Sequence, residues 1–259
     1  MTSDFKSHSS YRDFAFSVRR CWRYVRTPED HSFAEAVLAT SSGKSQEVPA
    51  GETVWRAQAG CNLRKFDEVD VEVPFSRERM KPPLDWQLEG RAPEGRINPQ
   101  GIPFLYVATN METAIGEVRP YLGALVSVAE LRTNRQLRLI NCTTDERIPN
   151  IIYFAEPSGD ERTLAVWRDI DRAFSQPVNV SGDRADYAET QFLAELFRHN
   201  GFDGIAYRSA FGAGDDSSIS SNPARCYHNI ALFDVNAADV AAEPKLVAVT
   251  DLSLKFSLR

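Results

Sequence analysis

Arg96, Tyr106 and Glu117 fall in one stretch, RINPQGIPFLYVATNMETAIGE, ten and eleven residues apart. Arginine offers a planar, permanently charged fork that suits phosphate or carboxylate. Tyrosine offers an aromatic face with a polar tip. An anionic glutamate can stabilise positive charge that develops during a reaction. Polar groups at this spacing, on successive elements, make a poor core. They suit a cavity onto which side chains converge.

The elements that must position them are readable locally. Asn98-Pro99-Gln100-Gly101 is turn chemistry. Phe104 to Ala108 is an apolar run of strand length. Thr109 and Glu112 have capping-box spacing, which predicts a helix from about Asn110 to Arg119, with Pro120 helping to end it. Ala114 and Thr113 flank Glu117 on that helix and leave room for a ligand. Taken one at a time, each residue has a plain alternative. Glu117 can be a solvated helix glutamate and Tyr106 a packed tyrosine with its hydroxyl bonded. Arg56, inside the apolar run Val54-Trp55-Arg56-Ala57, can be an ion-pair partner, and Ser209 can cap a turn.

The chain has 259 residues, 42% hydrophobic and 25% charged, enough for one large domain or two small ones. No apolar run is long enough to cross a membrane as a helix, and MTSDFKSHSSYRDF lacks a signal-peptide pattern, so a cytoplasmic location is expected. Cys21, Cys61, Cys142 and Cys226 are scattered, and His8, His31, His199 and His228 lack metal-ligand spacing. Reduced thiols, no disulfide framework and no metal site are expected. A net charge of −6 argues against nucleic acid as the main partner. No Gly-x-Gly-x-x-Gly follows a strand, so a nicotinamide redox site of the Rossmann type is not supported.

Along the chain, Tyr11 to Thr40 reads as helical, with an apolar stripe of Phe14, Val18, Cys21, Trp22 and Val25. Arg19, Arg20, Arg23 and Arg26 form a solvated basic face beside it. Thr27 to Asp30 marks a turn into a helix near Ser32 to Ala39. Residues 1–50 are taken as a helical extension, 51–240 as the main domain and 241–259 as a tail or edge strand. Asp67 to Glu94, rich in charge and proline, reads as a long ordered loop. Strands are expected at Leu125–Leu131, Leu137–Ile140, Ile205–Tyr207 and His228–Phe233. Ile151 to Ala155 is apolar, Leu164 to Phe174 has a helical pattern, and Gly212 to Ser221 is a glycine- and serine-rich loop. Asp186 to Glu189 repeats the capping-box logic ahead of a helix with Phe192, Leu193, Leu196 and Phe197 on its core face, closed by Gly201. Adjacent strands without a crossover helix favour an α+β fold.

GRINPQGIPFLYVATNMETAIGEVRP, followed by a helix, GFDGIAYRS and HNIALFD, resembles the RES family, named for its arginine, glutamate and serine. The resemblance covers about Trp55 to Asp234. It implies a fold similar to ADP-ribosyltransferase toxins, with mixed or antiparallel sheets, and a toxin-like enzyme that degrades NAD+. The nicotinamide–ribose bond would be cleaved with phosphate or water as acceptor. NAD+ would be the substrate, with no further cofactor and no metal. Many members are paired with a helix-turn-helix antitoxin protein. A protein-directed mono-ADP-ribosyltransferase and an inactive nucleotide- or partner-binding module are the alternatives, and a homo-oligomer is left open.

Residue by residue, Arg96 matches the arginine of the family's Gly-Arg-x-Asn pattern, Tyr106 the strand tyrosine and Glu117 the helix glutamate. Ser209 matches the late serine, Arg56 the arginine near the domain start and Asn229 the polar residue entering the last strand. A second pair, Gly90-Arg91, competes with Gly95-Arg96, and Asn98 decides for Arg96. Glu117, Arg96 and Ser209 are thus the expected catalytic residues, and Arg56, Arg96, Tyr106, Ser209 and Asn229 the expected substrate contacts. The chain departs from compact members in its N-terminal extension and in the longer segment between Arg56 and Arg96.

Overall fold

The central strands are apolar on both faces, and this alternation builds two cores. In the computed structural model, residues 4–82, 92–144, 153, 155–176, 184–211 and 228–252 are described. The strands among them are β1 (Ser45–Val48), β2 (Thr53–Ala59), β3 (Asn62–Phe66), β4 (Val69–Val73), β5 (Leu105–Ala108), β6 (Leu125–Thr133), β7 (Leu137–Asn141), β8 (Gly204–Arg208), β9 (His228–Leu232), β10 (Ala238–Val240) and β11 (Lys245–Ala248). The helices are α1 (Ser10–Phe16), α2 (Pro28–Thr40), α3 (Met111–Glu117), α4 (Gly159–Ser175) and α5 (Ala188–His199).

One mixed sheet runs β1-β7-β8-β9-β5-β2-β6-β10, and β11 also pairs with β6. Only β7 and β8 run parallel among the described strands, and α4 and α5 lie in the long connection that a parallel pair requires. The architecture is α+β, as the irregular alternation of elements implies. On one face Ile140, Ile205, Tyr207 and Ala231 pack with Trp167, Phe174 and Phe197 from the helices. On the other, Leu105, Val107, Leu139, Ala206 and Leu232 pack with Val48, Phe75 and Met80. Fully burying one such large side chain contributes about 1.5–3 kcal/mol.

The N-terminal segment departs from the expected apolar stripe and solvated basic face. Phe14 and Val18 are buried, but Trp22 and Val25 are 54% and 68% exposed. The helix widens into a π-turn over Ser17–Cys21 and stops, so the apolar stripe does not continue. Arg19 leaves the solvated face and pairs with Glu189 and Asp186. Thr27 to Asp30 is the cap and first turn of α2: the Asp30 N–H donates to Thr27 Oγ1 and the Thr27 N–H to Asp30 Oδ2. Phe14, Phe33 and Val37 place α1 and α2 in the same core as α4 and α5.

The expected loop from Asp67 also differs. Asp67 and Glu68, both at positive φ, close the β3–β4 hairpin, in the conformation a two-residue hairpin turn demands. Residues 83–91, including Gly90-Arg91, lie outside the described residues, as do 212–227 and most of the apolar run Ile151–Ala155.

Candidate active site

The strand order β8-β9-β5 sets one end of each strand side by side. Ser209 follows β8, Asn229 enters β9 opposite Tyr207 and Ala108, and α3 leaves from the end of β5. The cap of α3 is Asn110, whose side chain accepts the Thr113 N–H at 2.7 Å. This corrects the expectation for Thr109, whose hydroxyl is taken by the backbone of His228, accepting its N–H at 3.2 Å. The β5–α3 turn is thereby tied to the start of β9.

Glu117 ends α3 with one oxygen fixed. Its Oε1 accepts the Ser209 hydroxyl at 2.6 Å and the Asn229 amide at 2.6 Å. Both donors are buried, whereas Glu117 is exposed and its Oε2 has no hydrogen bond among the described residues. Gly116 makes the approach feasible. A Cβ there would lie 2.9 Å from Phe211 Cβ, on the segment that carries Ser209. Phe211 in turn donates its N–H to Ser209 Oγ at 3.1 Å.

Arg56, on β2 beside β5, donates from Nη1 to the Tyr106 carbonyl at 3.0 Å. Its Nε is enclosed with no partner, and no carboxylate pairs with it among the described residues. Burial pulls its pKa down to about 10, against the opposing pull of Tyr106. The half-buried guanidinium is thus left with one acceptor among the described residues.

Tyr106 is half-buried, and burial pushes its phenol up to about 12. The hydroxyl donates to Asn98 Oδ1 at 2.7 Å and accepts the Ile97 N–H at 3.3 Å, so it ties the Arg96 loop to β5. Gly95 is required under it, because a Cβ would sit 2.8 Å from the Tyr106 hydroxyl. Arg96 Nη1 donates to the carbonyls of Ala173 and Phe174 at 3.1 and 2.6 Å, at the C-terminal end of α4. That end favours cations. Nε and Nη2 of Arg96 carry no hydrogen bond among the described residues.

Tyr207, on β8, lies within electrostatic reach of Tyr106, Glu117 and Arg96. Its ring meets Phe174 at 6.2 Å between centroids. Burial pushes its phenol well up, Tyr106 and Glu117 push the same way, and Arg96 opposes. The detectable signal was a phenol inside the strand of GFDGIAYRS. His228 is held below its usual pKa by burial and by Arg208, with Asp171 opposing, so its imidazole is neutral at pH 7. Arg208 donates to Asp171 Oδ2 at 3.1 Å.

The structure thus joins Glu117, Ser209 and Asn229 directly, and ties the Arg96 loop to Tyr106. Arg56 reaches the group through the Tyr106 carbonyl. Among the described residues no three His, Cys, Asp or Glu side chains gather as metal ligands, and no helix is long and apolar enough to cross a membrane. A cavity of about 300 Å³, lined by Phe5, Phe14 and Phe33, lies among the N-terminal helices and includes none of the site residues. Converging hydrogen bonds mark the Glu117 cluster.

The α+β domain thus carries an outward glutamate cradled by a serine and an asparagine, with an arginine nearby that has no carboxylate partner among the described residues. The chain belongs to the RES domain family, whose domain matches residues 53–257. No curated protein matches it by sequence. Among solved structures it is similar to a chain of the M. tuberculosis MbcT-MbcA toxin-antitoxin complex, at 14% identity and a TM-score of 0.38. That match covers 81% of this chain and 89% of the other.

Proposed function

We propose that the chain is an enzyme that consumes NAD+ by breaking the nicotinamide–ribose bond, with water or inorganic phosphate as acceptor. The observation that carries this is Glu117, with Oε1 anchored by Ser209 and Asn229 and Oε2 unengaged. When the bond breaks, its electron pair goes to the nicotinamide nitrogen and neutralises the pyridinium charge. Positive charge is left on the ribose, as in other glycosyl transfers. The open Glu117 oxygen stabilises that charge and holds a ribose hydroxyl. The acceptor oxygen then bonds to the ribose carbon and its proton passes to solvent, giving ADP-ribose or its phosphate ester.

In this reading Ser209 and Asn229 keep the carboxylate aimed, and the Ser209 hydroxyl also lies within reach of a ribose or phosphate oxygen. Arg56 and Arg96 receive the pyrophosphate. Tyr106 presents its ring to nicotinamide while its hydroxyl holds the Arg96 loop. No metal or additional cofactor enters the scheme. A helix-turn-helix antitoxin protein is the proposed partner, on the family resemblance.

The test is nicotinamide release from NAD+ by the wild type and by Glu117→Ala, with phosphate present and absent. Release that falls about 100-fold or more in the variant supports the reading. Phosphate dependence separates phosphorolysis from hydrolysis. Labelled ADP-ribose appearing on a protein would redirect it to a mono-ADP-ribosyltransferase, and NAD+ binding without turnover to a binding module.

A further inference from the structure

The first turn of α5 carries consecutive buried polar side chains: Glu189, Thr190 and Gln191 are 1%, 1% and 9% exposed. Neighbouring helical residues point in different directions, so such a run must meet different partners. Glu189 takes the Arg19 fork on both oxygens and lies 3.5 Å from the Tyr11 hydroxyl. Thr190 Oγ1 donates to the Arg96 carbonyl at 2.5 Å. Gln191 Nε2 donates to the carbonyls of Gly95 and Asn98 at 2.9 and 3.2 Å, and to Glu94 Oε1 at 3.2 Å.

We propose that Thr190 and Gln191 are positioning residues for the Arg96 loop. Arg19, which lies outside the matched RES domain, acts through Glu189 as the anchor of the turn on which they stand. This rests on the NAD+ reading of the site. The loop has few main-chain bonds of its own, such as Gly95 N–H to Asn98 O at 3.0 Å and Gly101 N–H to Ala92 O at 2.9 Å. The carbonyls of Gly95, Arg96 and Asn98 therefore draw donors from α5, and a buried carbonyl stripped of its donor is costly.

Arg96 is gripped at both ends: its main chain by α5 and its guanidinium by the α4 carbonyls. Asn98, held through its carbonyl by Gln191, holds the Tyr106 hydroxyl in turn. Loosening the α5 turn therefore moves Arg96 and Tyr106 together. It leaves the Glu117–Ser209–Asn229 corner intact, since among the described residues that corner has no hydrogen bond to α5. The expected signature is weakened substrate binding with the chemical step preserved.

The test compares wild type with Gln191→Leu, Thr190→Val, Thr190→Ser and Arg19→Ala. Gln191→Leu is expected to raise KM for NAD+ about tenfold, one lost hydrogen bond's worth, with kcat within about twofold. Thr190→Val is expected to behave likewise and Thr190→Ser, which keeps the hydroxyl, to match wild type. Hydrogen–deuterium exchange should quicken over residues 92–104 in Gln191→Leu and Thr190→Val while β8 and β9 stay protected, and in Arg19→Ala it should quicken more over 92–104 than over β8 and β9. Exchange unchanged in the loop, exchange quickened throughout, or a fall in kcat at constant KM would overturn the proposal. A wild type that consumes no NAD+ sinks the functional reading alone, because the exchange pattern still decides whether these residues hold the loop.

Discussion

Arg19 and Arg56 are both half-buried, and the protein treats them in opposite ways. Arg19 meets Glu189 and Asp186, and its hydrogen bond to Glu189 raises its pKa. Arg56 meets one main-chain carbonyl, has an enclosed Nε without a partner, and is pulled down to about 10 by burial. A guanidinium removed from water needs compensation from somewhere. At the N-terminal seam the chain supplies it, and that seam is complete. At the site no carboxylate supplies it among the described residues, and in the proposed function a substrate phosphate would. Substitutions at the seam should therefore register in stability, and those at the site in activity.

The largest expected effect lies on the site side. Glu117→Gln keeps the side-chain volume but loses the charge, so nicotinamide release should fall about 100-fold while the melting temperature barely changes. A variant that unfolds instead would break the contrast. On the seam, Arg19→Ala strands Glu189 in the core. A loss of about 3 kcal/mol is expected, at the low end for a broken buried pair because Arg19 is 31% exposed. The denaturant midpoint reads it.

Gly116→Ala falls between the two regions. Its Cβ would press on Phe211 Cβ from 2.9 Å and push α3 away from Ser209. About 1–2 kcal/mol of stability and about tenfold in activity should go together, and an activity loss with no stability loss would argue against steric contact. The smallest effect concerns pH. The folded-state pKa of Arg56, about 10, lies below that of a free guanidinium, so the native state gives up the proton first. The buried charge costs stability below about pH 10, and the cost fades as pH rises through that value. Arg56→Met should be at least as stable as wild type at pH 7, with the gap narrowing toward pH 10.5. Melting curves across that range, with added pyrophosphate stabilising only the wild type at neutral pH, would sharpen the comparison.

Much of the fold was legible because apolar periodicity is local. β5, β6, β7, β8, β9, α4 and α5 all fall where their patterns place them. Helix caps were less legible, because adjacent polar residues compete for the position and distant partners decide the contest. Thr109 is drawn off by His228, which leaves Asn110 to cap α3. Asp186 and Glu189 are drawn to Arg19 rather than to the start of α5. The stripe through Cys21, Trp22 and Val25 failed because the helix beneath it ends. The β3–β4 hairpin hid behind charge, since its faces are exposed and impose no apolar alternation.

The sequence by itself determined which polar groups this protein carries and the order of elements that presents them. Arg96, Tyr106 and Glu117 follow one another through loop, strand and helix, and each element is specified by its own residues. Only the tertiary structure decided what those groups touch. Ser209 and Asn229 reach Glu117 across 92 and 112 residues, and Arg19 reaches Glu189 across 170. Such meetings depend on which elements become neighbours and in what register, and a shift of one residue in β9 would turn Asn229 to the opposite face of the sheet.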